Sequence, residues 1–366
     1  MHHARGRTTR QAHVGVPEGT FEEEIGRDGF SGRATHLYRE HPPVGWTRIE
    51  GELRPRAYAV TEMGPASSDW TASRPPFLEN QDVRLRFAHL RGAMPYAFRN
   101  ADADEVLFVH SGRGSLECDY GAIDFEAGHY LVLPRSTTYR LDAREGATFL
   151  VIETAAEVRI PDRGLLGRHA LFDVDVIDVP DPAKLSPRPG EQELRIQRGG
   201  ALTSVFYPFD PIDVVGWKGD LSVWRLHVRD IRPVSSERYH LPPTAHATFV
   251  ADGLAICTFL PRPLETGDPE AMKVPFFHAN VDYDEVLFYH RGRFFSREGI
   301  APGMVTLHPA GIHHGPQPGA TAAARDLART DEIAVMVDVR RALVPTHQAR
   351  GVERVDYWKS WQGGAR

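Results

Sequence analysis

The sequence predicts an all-β chain of two similar small barrels behind an N-terminal arm, with little helix. Three observations predict it. From about Ala57 onward, short β-branched and aromatic runs such as Glu105–Val109 and Tyr130–Leu133 alternate with Gly, Pro, Asp and Ser, the pattern of a sandwich or barrel. The run Asp104-Glu105-Val106-Leu107-Phe108 recurs as Asp284-Glu285-Val286-Leu287-Phe288, and Gly112 recurs as Gly292, each 180 residues on. Gly128 and Pro134 recur as Gly303 and Pro309, 175 residues on; two landmarks in one order indicate duplicated units.

Taken in order, residues 1–56 are rich in Gly, Pro and charge and read as an arm that packs on another part of the molecule. Residues 57–178 form the first barrel. The Pro-rich stretch within 179–208 reads as a linker, 209–345 as the second barrel and 346–366 as a tail. Helical periodicity is scarce, and Thr321–Leu327 is the best short candidate.

The 366 residues suffice for two domains, and at 41% hydrophobic and 25% charged the composition is that of an ordinary globular protein. The net charge of −6 gives nucleic-acid binding no electrostatic support. Cys118 and Cys257 lie in unrelated segments, which argues against a disulfide framework and for a reducing cytoplasm. No run approaches a membrane span, and the start carries no apolar segment of a leader.

The second half carries the chemistry. His278 is followed by Ala279-Asn280, then Glu285 and Gly292; Gly303, Pro309, Gly311 and His314 come after a gap. Inward-pointing residues on two barrel strands can bring His278, Glu285 and His314 around one point. Two imidazoles and a carboxylate with positions left open make the facial triad of non-haem Fe(II) oxygenases. Any one of these histidines alone would read as an ordinary solvated or core residue; three at this spacing favour a metal site. Asn280 is no strong ligand and leaves a position open. At the matching places the first half has Phe98 and Tyr139, with only Glu105 retained. That half is therefore expected to be a metal-free scaffold, with Glu105 a buried hydrogen-bonding residue and one metal per chain.

This spacing resembles the two motifs of the cupin superfamily, whose fold is the jelly-roll β-barrel, so the fold class is two duplicated cupin domains. The resemblance extends to one family. Asp213-Val214-Val215-Gly216-Trp217-x-Gly219, then Phe277-His278-x-Asn280 with Glu285, then Leu307-His308 and His314-Gly315-Pro316 are similar to the homogentisate 1,2-dioxygenase family. Pro17-Glu18-Gly19 and His36-Leu37-Tyr38 resemble its N-terminal segment more faintly. The resemblance implies Fe(II) held by His278, Glu285 and His314, and a small aromatic substrate, homogentisate, opened with O2 to maleylacetoacetate in tyrosine and phenylalanine breakdown. It also implies assembly as a homo-oligomer, a trimer or hexamer.

By position, His314 matches a residue beside the substrate, and His308 matches a histidine of the family's Leu-His segment, with two readings of equal weight: it orients a ligand or the oxygen side, or it makes a structural hydrogen bond in the strand turn. Two departures bear on the substrate. Lys218 stands where the family has a proton-accepting histidine; a lysine there serves as a cation, or as a base only with a depressed pKa, and its bland reading is a surface lysine on a turn. Phe294 stands where the family has a substrate-contacting tyrosine, so one contact to the substrate carboxylate is missing; Arg291, Arg293 or Arg297 is the replacement, each otherwise surface charge. His240 is the substitute base. These departures keep open a gentisate-like acid or another hydroquinone as substrate. A non-catalytic metal-binding cupin and a redox-neutral cupin enzyme are the readings from other classes.

Overall fold

The computed structural model describes residues 3–162, 171–238, 240–272, 276–320 and 326–362. The expected helix at Thr321–Leu327 falls mostly on residues outside this set. Among the described residues the chain is strands and short 3-10 turns with little α-helix, at His347–Gly351 and at residues 318–320.

Two curled antiparallel sheets carry the two barrels. The first is built on the long strands Val83–Ala93, Asp104–Cys118 and Thr138–Thr154. The second has six strands in the order Ala247–Ala251, Leu254–Phe259, Ile333–Val339, Asp284–Arg291, Val305–His308 and Arg56–Tyr58. A strict alternation explains how both pack. On Asp104–Cys118, Val106 and Phe108 enter a core shared by the two halves, while Leu107 and Val109 enter the interior of the first barrel beside Tyr139 and Phe149. On Asp284–Arg291, Val286 and Phe288 enter the shared core. The intervening residues Glu285, Leu287 and Tyr289 line an internal cavity. Side chains of successive strand residues point to opposite faces, and burying each large apolar one stabilises by about 2 kcal/mol. One sequence register therefore builds the interface and aims Glu285 inward.

The duplication holds at the level of hydrogen bonds. Asp104 accepts from the Arg135 and Val158 amides; Asp284 accepts from those of Ala310 and Leu343. Asn100 caps its turn by accepting from the Asp102 and Ala103 amides, and Asn280 does the same with Asp282 and Tyr283. Gly112 and Gly292 have φ of 85° and 95°, and a Cβ there would lie 2.2 Å from the Gly146 carbonyl oxygen and 2.3 Å from that of Asp331, so glycine is required at both. The halves meet about a local dyad, where His110 Nδ1 lies 3.0 Å from His290 Nδ1 across the 180-residue offset.

Strands cross the expected boundaries. Arg56–Tyr58 pairs with Val305–His308 of the second sheet. Trp224–His227 pairs with His129–Leu133 of the first, and Val344–Pro345 with Pro76–Glu79 of the first. The stretch read as a linker holds a hairpin, Gln192–Arg198 with Ala201–Tyr207, added in parallel to Ala97–Asn100. Its alternation is weak because one face is largely exposed, which hid it in the sequence. The arm forms a hairpin of Phe21–Gly26 and Ala34–Arg39. Its first strand runs parallel to Phe277–Asn280, with Glu24 beside His278 and Gly26 beside Asn280.

Candidate metal centre and substrate cavity

Three strand segments bring the predicted ligands together. His278 stands on the strand paired with the arm, Glu285 on the inward face of its own strand, and His314 on the segment after Val305–His308. His278 and His314 lie opposite each other in a small bridge, each backbone N–H donating to the other's carbonyl at 2.9 and 3.0 Å. Their ring centroids are 4.0 Å apart. Nε2 of His278 lies 3.7 Å and Nε2 of His314 lies 3.6 Å from Glu285 Oε2. All three residues are buried.

Both Nε2 atoms are buried without a hydrogen-bond partner. A buried polar atom left alone costs about 1–3 kcal/mol, and two facing one carboxylate oxygen fit a bound cation. His278 Nδ1 lies 2.9 Å from the Phe276 carbonyl, which fixes the proton there and leaves Nε2 as the donor lone pair. Two nitrogens and one carboxylate oxygen suit a divalent iron, manganese or zinc ion.

The other carboxylate oxygen, Glu285 Oε1, receives His308 Nδ1 at 2.7 Å. His308 Nε2 lies 3.2 Å from the Tyr357 hydroxyl, and the His308 ring stacks on His314 at 4.8 Å. His308 thus orients two ligands without reaching the centre, as one of the sequence readings has it. The C-terminal segment expected as a tail closes this side: beyond Tyr357, Trp361 Nε1 donates to the Gly315 carbonyl at 3.3 Å. Burial pushes His308 down to about 4 and His314 down to about 3, so both are neutral at neutral pH. For Glu285 burial acts upward, but the surrounding imidazoles outweigh it and hold the carboxyl well below its ordinary range. Glu285 and His314 are therefore deprotonated and ready for a cation. His308→Phe is expected to lower metal affinity by roughly 10–100-fold without unfolding the barrel, as losses of ligand-orienting partners do. Metal retained at increasing chelator concentration checks this, and wild-type retention would show that His308 has only a packing role.

A cavity of about 60 Å³ opens beside Glu285. Its charged and imidazole walls are His240, Arg262, Arg297 and Glu332, together with the ligands His278 and Glu285. Arg262 Nη1 and Arg297 Nε are buried without a hydrogen-bond partner. Burial raises the Glu332 carboxyl to about 7, against the lowering pull of Arg262 and Arg297. His240 is buried with Nδ1 3.1 Å from Glu265 Oε1, and burial lowers its pKa. A larger groove of about 640 Å³ on the first barrel, with Arg113, Asp124 and Arg229 on its walls, is open to solvent.

The remaining sequence candidates separate. His313 faces away and pairs with Glu23 of the arm, and His314 is the histidine that clusters with His278 and Glu285. Lys218 is exposed on a loop that its neighbour Trp217 fixes to the first barrel, edge-to-face with Tyr120 at 5.7 Å, and it does not line the cavity. Phe294 is buried in a small core with Tyr289 and Ala334; the next residue, Phe295, is the one that lines the cavity. Of the three arginines, Arg297 has a buried side chain that lines the cavity, and Arg291 and Arg293 sit on the outside. Arg262 and Glu332 were not anticipated: they flank strand ends with no motif around them, and only a charged residue bordering an apolar run could have marked them.

The first barrel shows what replaces the metal. Glu105 Oε1 is bound by Arg74 Nη1 at 2.5 Å and Oε2 by the Tyr139 hydroxyl at 2.9 Å. The Arg74 guanidinium lies over the Phe98 ring at 4.5 Å. A fixed guanidinium there faces the carboxylate, as a cation would face Glu285.

Comparison with known proteins agrees with this geometry. Residues 80–227 match the family model described as homogentisate 1,2-dioxygenase N-terminal, and residues 243–366 match the one described as homogentisate 1,2-dioxygenase C-terminal. The chain belongs to the homogentisate 1,2-dioxygenase family. A protein of Saccharolobus solfataricus, named provisionally as a dioxygenase, is 32% identical over 383 aligned positions that span 99% of each chain. With this membership comes the general class, a ring-cleaving dioxygenase. Among solved structures, a glyoxylate-induced protein of Pseudomonas aeruginosa is 12% identical, with 82% of this chain and 94% of that one covered at a TM-score of 0.38. A cupin 2 conserved barrel domain protein of Leptotrichia buccalis is 9% identical, with 73% and 88% covered at 0.33. Among the described residues of this family member, no helix is long and apolar enough to cross a membrane.

Proposed function

We propose that the protein is an Fe(II)-dependent dioxygenase that opens the ring of homogentisate to give maleylacetoacetate. The observation that carries this reading is the pair of unpartnered, buried imidazole nitrogens of His278 and His314 facing Glu285 beside a cavity with two buried arginines. When bound, a redox-active divalent iron would let dioxygen react with an organic ring and would favour ionisation of a coordinated phenol. The chain's own residues do the rest. His278, Glu285 and His314 would hold the ion. His308 holds Glu285 by one oxygen so that the other points to the centre. Arg262 and Arg297 supply the positive charge for the side-chain carboxylate of the acid, the role that the sequence assigned to Arg297 among others. His240, neutral and on the cavity wall, is placed to accept the phenolic proton; Lys218, exposed, is not.

The cavity holds a few waters rather than a substituted ring, so substrate entry displaces part of its wall. The deciding experiment is O2 uptake by anaerobically Fe(II)-loaded protein on adding homogentisate, with product followed by absorbance. Uptake matched one-to-one by maleylacetoacetate is expected. Iron bound but no uptake would sink homogentisate and turn the test to gentisate and other hydroquinones, a reading that the absence of Phe294 and Lys218 from the cavity keeps in play. Arg262→Met is expected to raise KM for homogentisate by roughly 10–100-fold with a smaller effect on kcat, the cost of one charge-assisted hydrogen bond. An unchanged KM would move the carboxylate elsewhere.

The reading includes assembly into a trimer or hexamer. Leu202, Phe206, Phe209, Val215 and Leu221 are all more than half exposed within 20 residues of chain, an apolar surface suited to a second copy. Light scattering should find the wild type oligomeric and Phe206→Glu/Phe209→Glu smaller; a monomeric wild type would refute assembly.

A further inference from the structure

We infer that the N-terminal arm carries a second divalent-cation site, formed by His13, Glu24 and His36. It is separate from the centre at Glu285 and stands on different residues. On Phe21–Gly26 the alternation places Glu22 and Glu24 on one face of the hairpin, and the cross-strand partner of Glu24 is His36. His13 reaches the same face from the preceding loop, anchored by its backbone N–H donating to Glu22 Oε2 at 2.8 Å and by its ring stacked on Phe276 at 4.0 Å.

The two carboxylates divide the work. Glu24 Oε2 lies 3.4 Å from His13 Nε2 and 4.0 Å from His36 Nε2. Glu22 occupies the other side of both rings, 3.1 Å from His13 Nδ1 and 3.6 Å from His36 Nδ1. A carboxylate behind each imidazole and another in front is the arrangement in which outer partners fix ring orientation for a metal. Ligand atoms about 2.1 Å from a tetrahedral ion lie roughly 3.4 Å apart, so the front carboxylate and His13 are already at that spacing and His36 needs only a small ring shift. The corresponding separations at the catalytic centre, 3.7 and 3.6 Å, are of the same size. Two buried glutamates facing two imidazoles also leave excess negative charge that a divalent cation offsets.

Two imidazoles and a carboxylate, with no sulfur, suit zinc among the common cations. The site's position gives it a structural task. Glu24 is the ladder partner of His278, and His13 stacks on Phe276, whose carbonyl lies 2.9 Å from His278 Nδ1. An ion here would pin the arm to the strand that carries a catalytic ligand.

The test is zinc content per chain after loading with zinc sulfate and desalting, in full-length protein. About two equivalents are expected for wild type, about one for His278→Ala/His314→Ala and about one for His13→Ala/His36→Ala. One equivalent in wild type, undiminished in the arm variant, would overturn the proposal. A second measurement covers misfolding of that variant: in the His278→Ala/His314→Ala background zinc should raise Tm by several degrees, and adding His36→Gln should abolish the rise. No zinc-dependent rise in that background, in protein shown folded by circular dichroism, also overturns it.

Discussion

His314→Ala is expected to remove bound iron and bring oxygen uptake with homogentisate below detection while leaving both barrels folded. Losing one of three ligands from an open site removes the Lewis-acid contribution, worth several kcal/mol, and each 1.36 kcal/mol is tenfold in rate; a loss of at least about a thousandfold follows. The fold should survive because the contacts that hold this segment are main-chain: His314 N–H and C=O exchange hydrogen bonds with His278 whatever the side chain. Removing the imidazole also removes one of the two unpartnered buried nitrogens, which offsets part of the lost packing on His308. Metal analysis, oxygen electrode and thermal melt together check this. Retained iron with full turnover would end the assignment, and a collapsed melt would show that His314 is chiefly structural.

Arg74→Met should be the most destabilising single change in the first barrel, by about 3–5 kcal/mol, the usual cost of stranding one member of a buried ion pair. Arg74 and Glu105 are 1% and 2% exposed in their side chains. Without the guanidinium, Glu105 keeps only the Tyr139 hydroxyl, whereas the neighbouring Glu153 keeps Arg86 at 3.0 Å. Arg74→Met/Glu105→Met should recover most of the loss, since a buried pair replaced by apolar groups of similar size is often near neutral. Urea unfolding of the two variants measures this; equal midpoints for Arg74→Met and wild type would mean that the pair contributes nothing. Metal content should be unchanged in both, because neither residue belongs to the clusters around Glu285 and Glu24.

These two variants probe the partner of one repeated carboxylate, Glu285 facing His314 and Glu105 facing Arg74, and they show why some of the protein was legible. The repeat could be read because Asp104 and Asp284, Asn100 and Asn280, and Gly112 and Gly292 each do one local job twice, and local jobs fix residue type at fixed spacing. The clustering of His278, Glu285 and His314 was legible for the same reason, as was the presence of Phe98 and Tyr139 at the matching places of the first half. Lys218 was not, since its placement depends on Trp217 docking against Tyr120, a contact between segments far apart in sequence. Nor was Phe294: the irregular backbone after Gly292 turns Phe295 inward and Phe294 into the core. Arg262 and Glu332 come together only when two strand ends meet, and the arm's parallel pairing with Phe277–Asn280 has no local signature at all.

The exchange of strands between the halves has a consequence for how the chain is made. Arg56–Tyr58 finds its strand partner in Val305–His308 and a further bridge at Glu353, and Pro76–Glu79 gains Val344–Pro345, all far downstream in the sequence. Each early strand must therefore wait, with at least one edge unpaired, until these distant residues have been made. Contacts this distant in sequence slow folding and leave open strand edges exposed to association. Neither half expressed alone has its full complement of strands. The two barrels should accordingly mature in one late, cooperative step, with the ligand-bearing strands among the last to be locked in place.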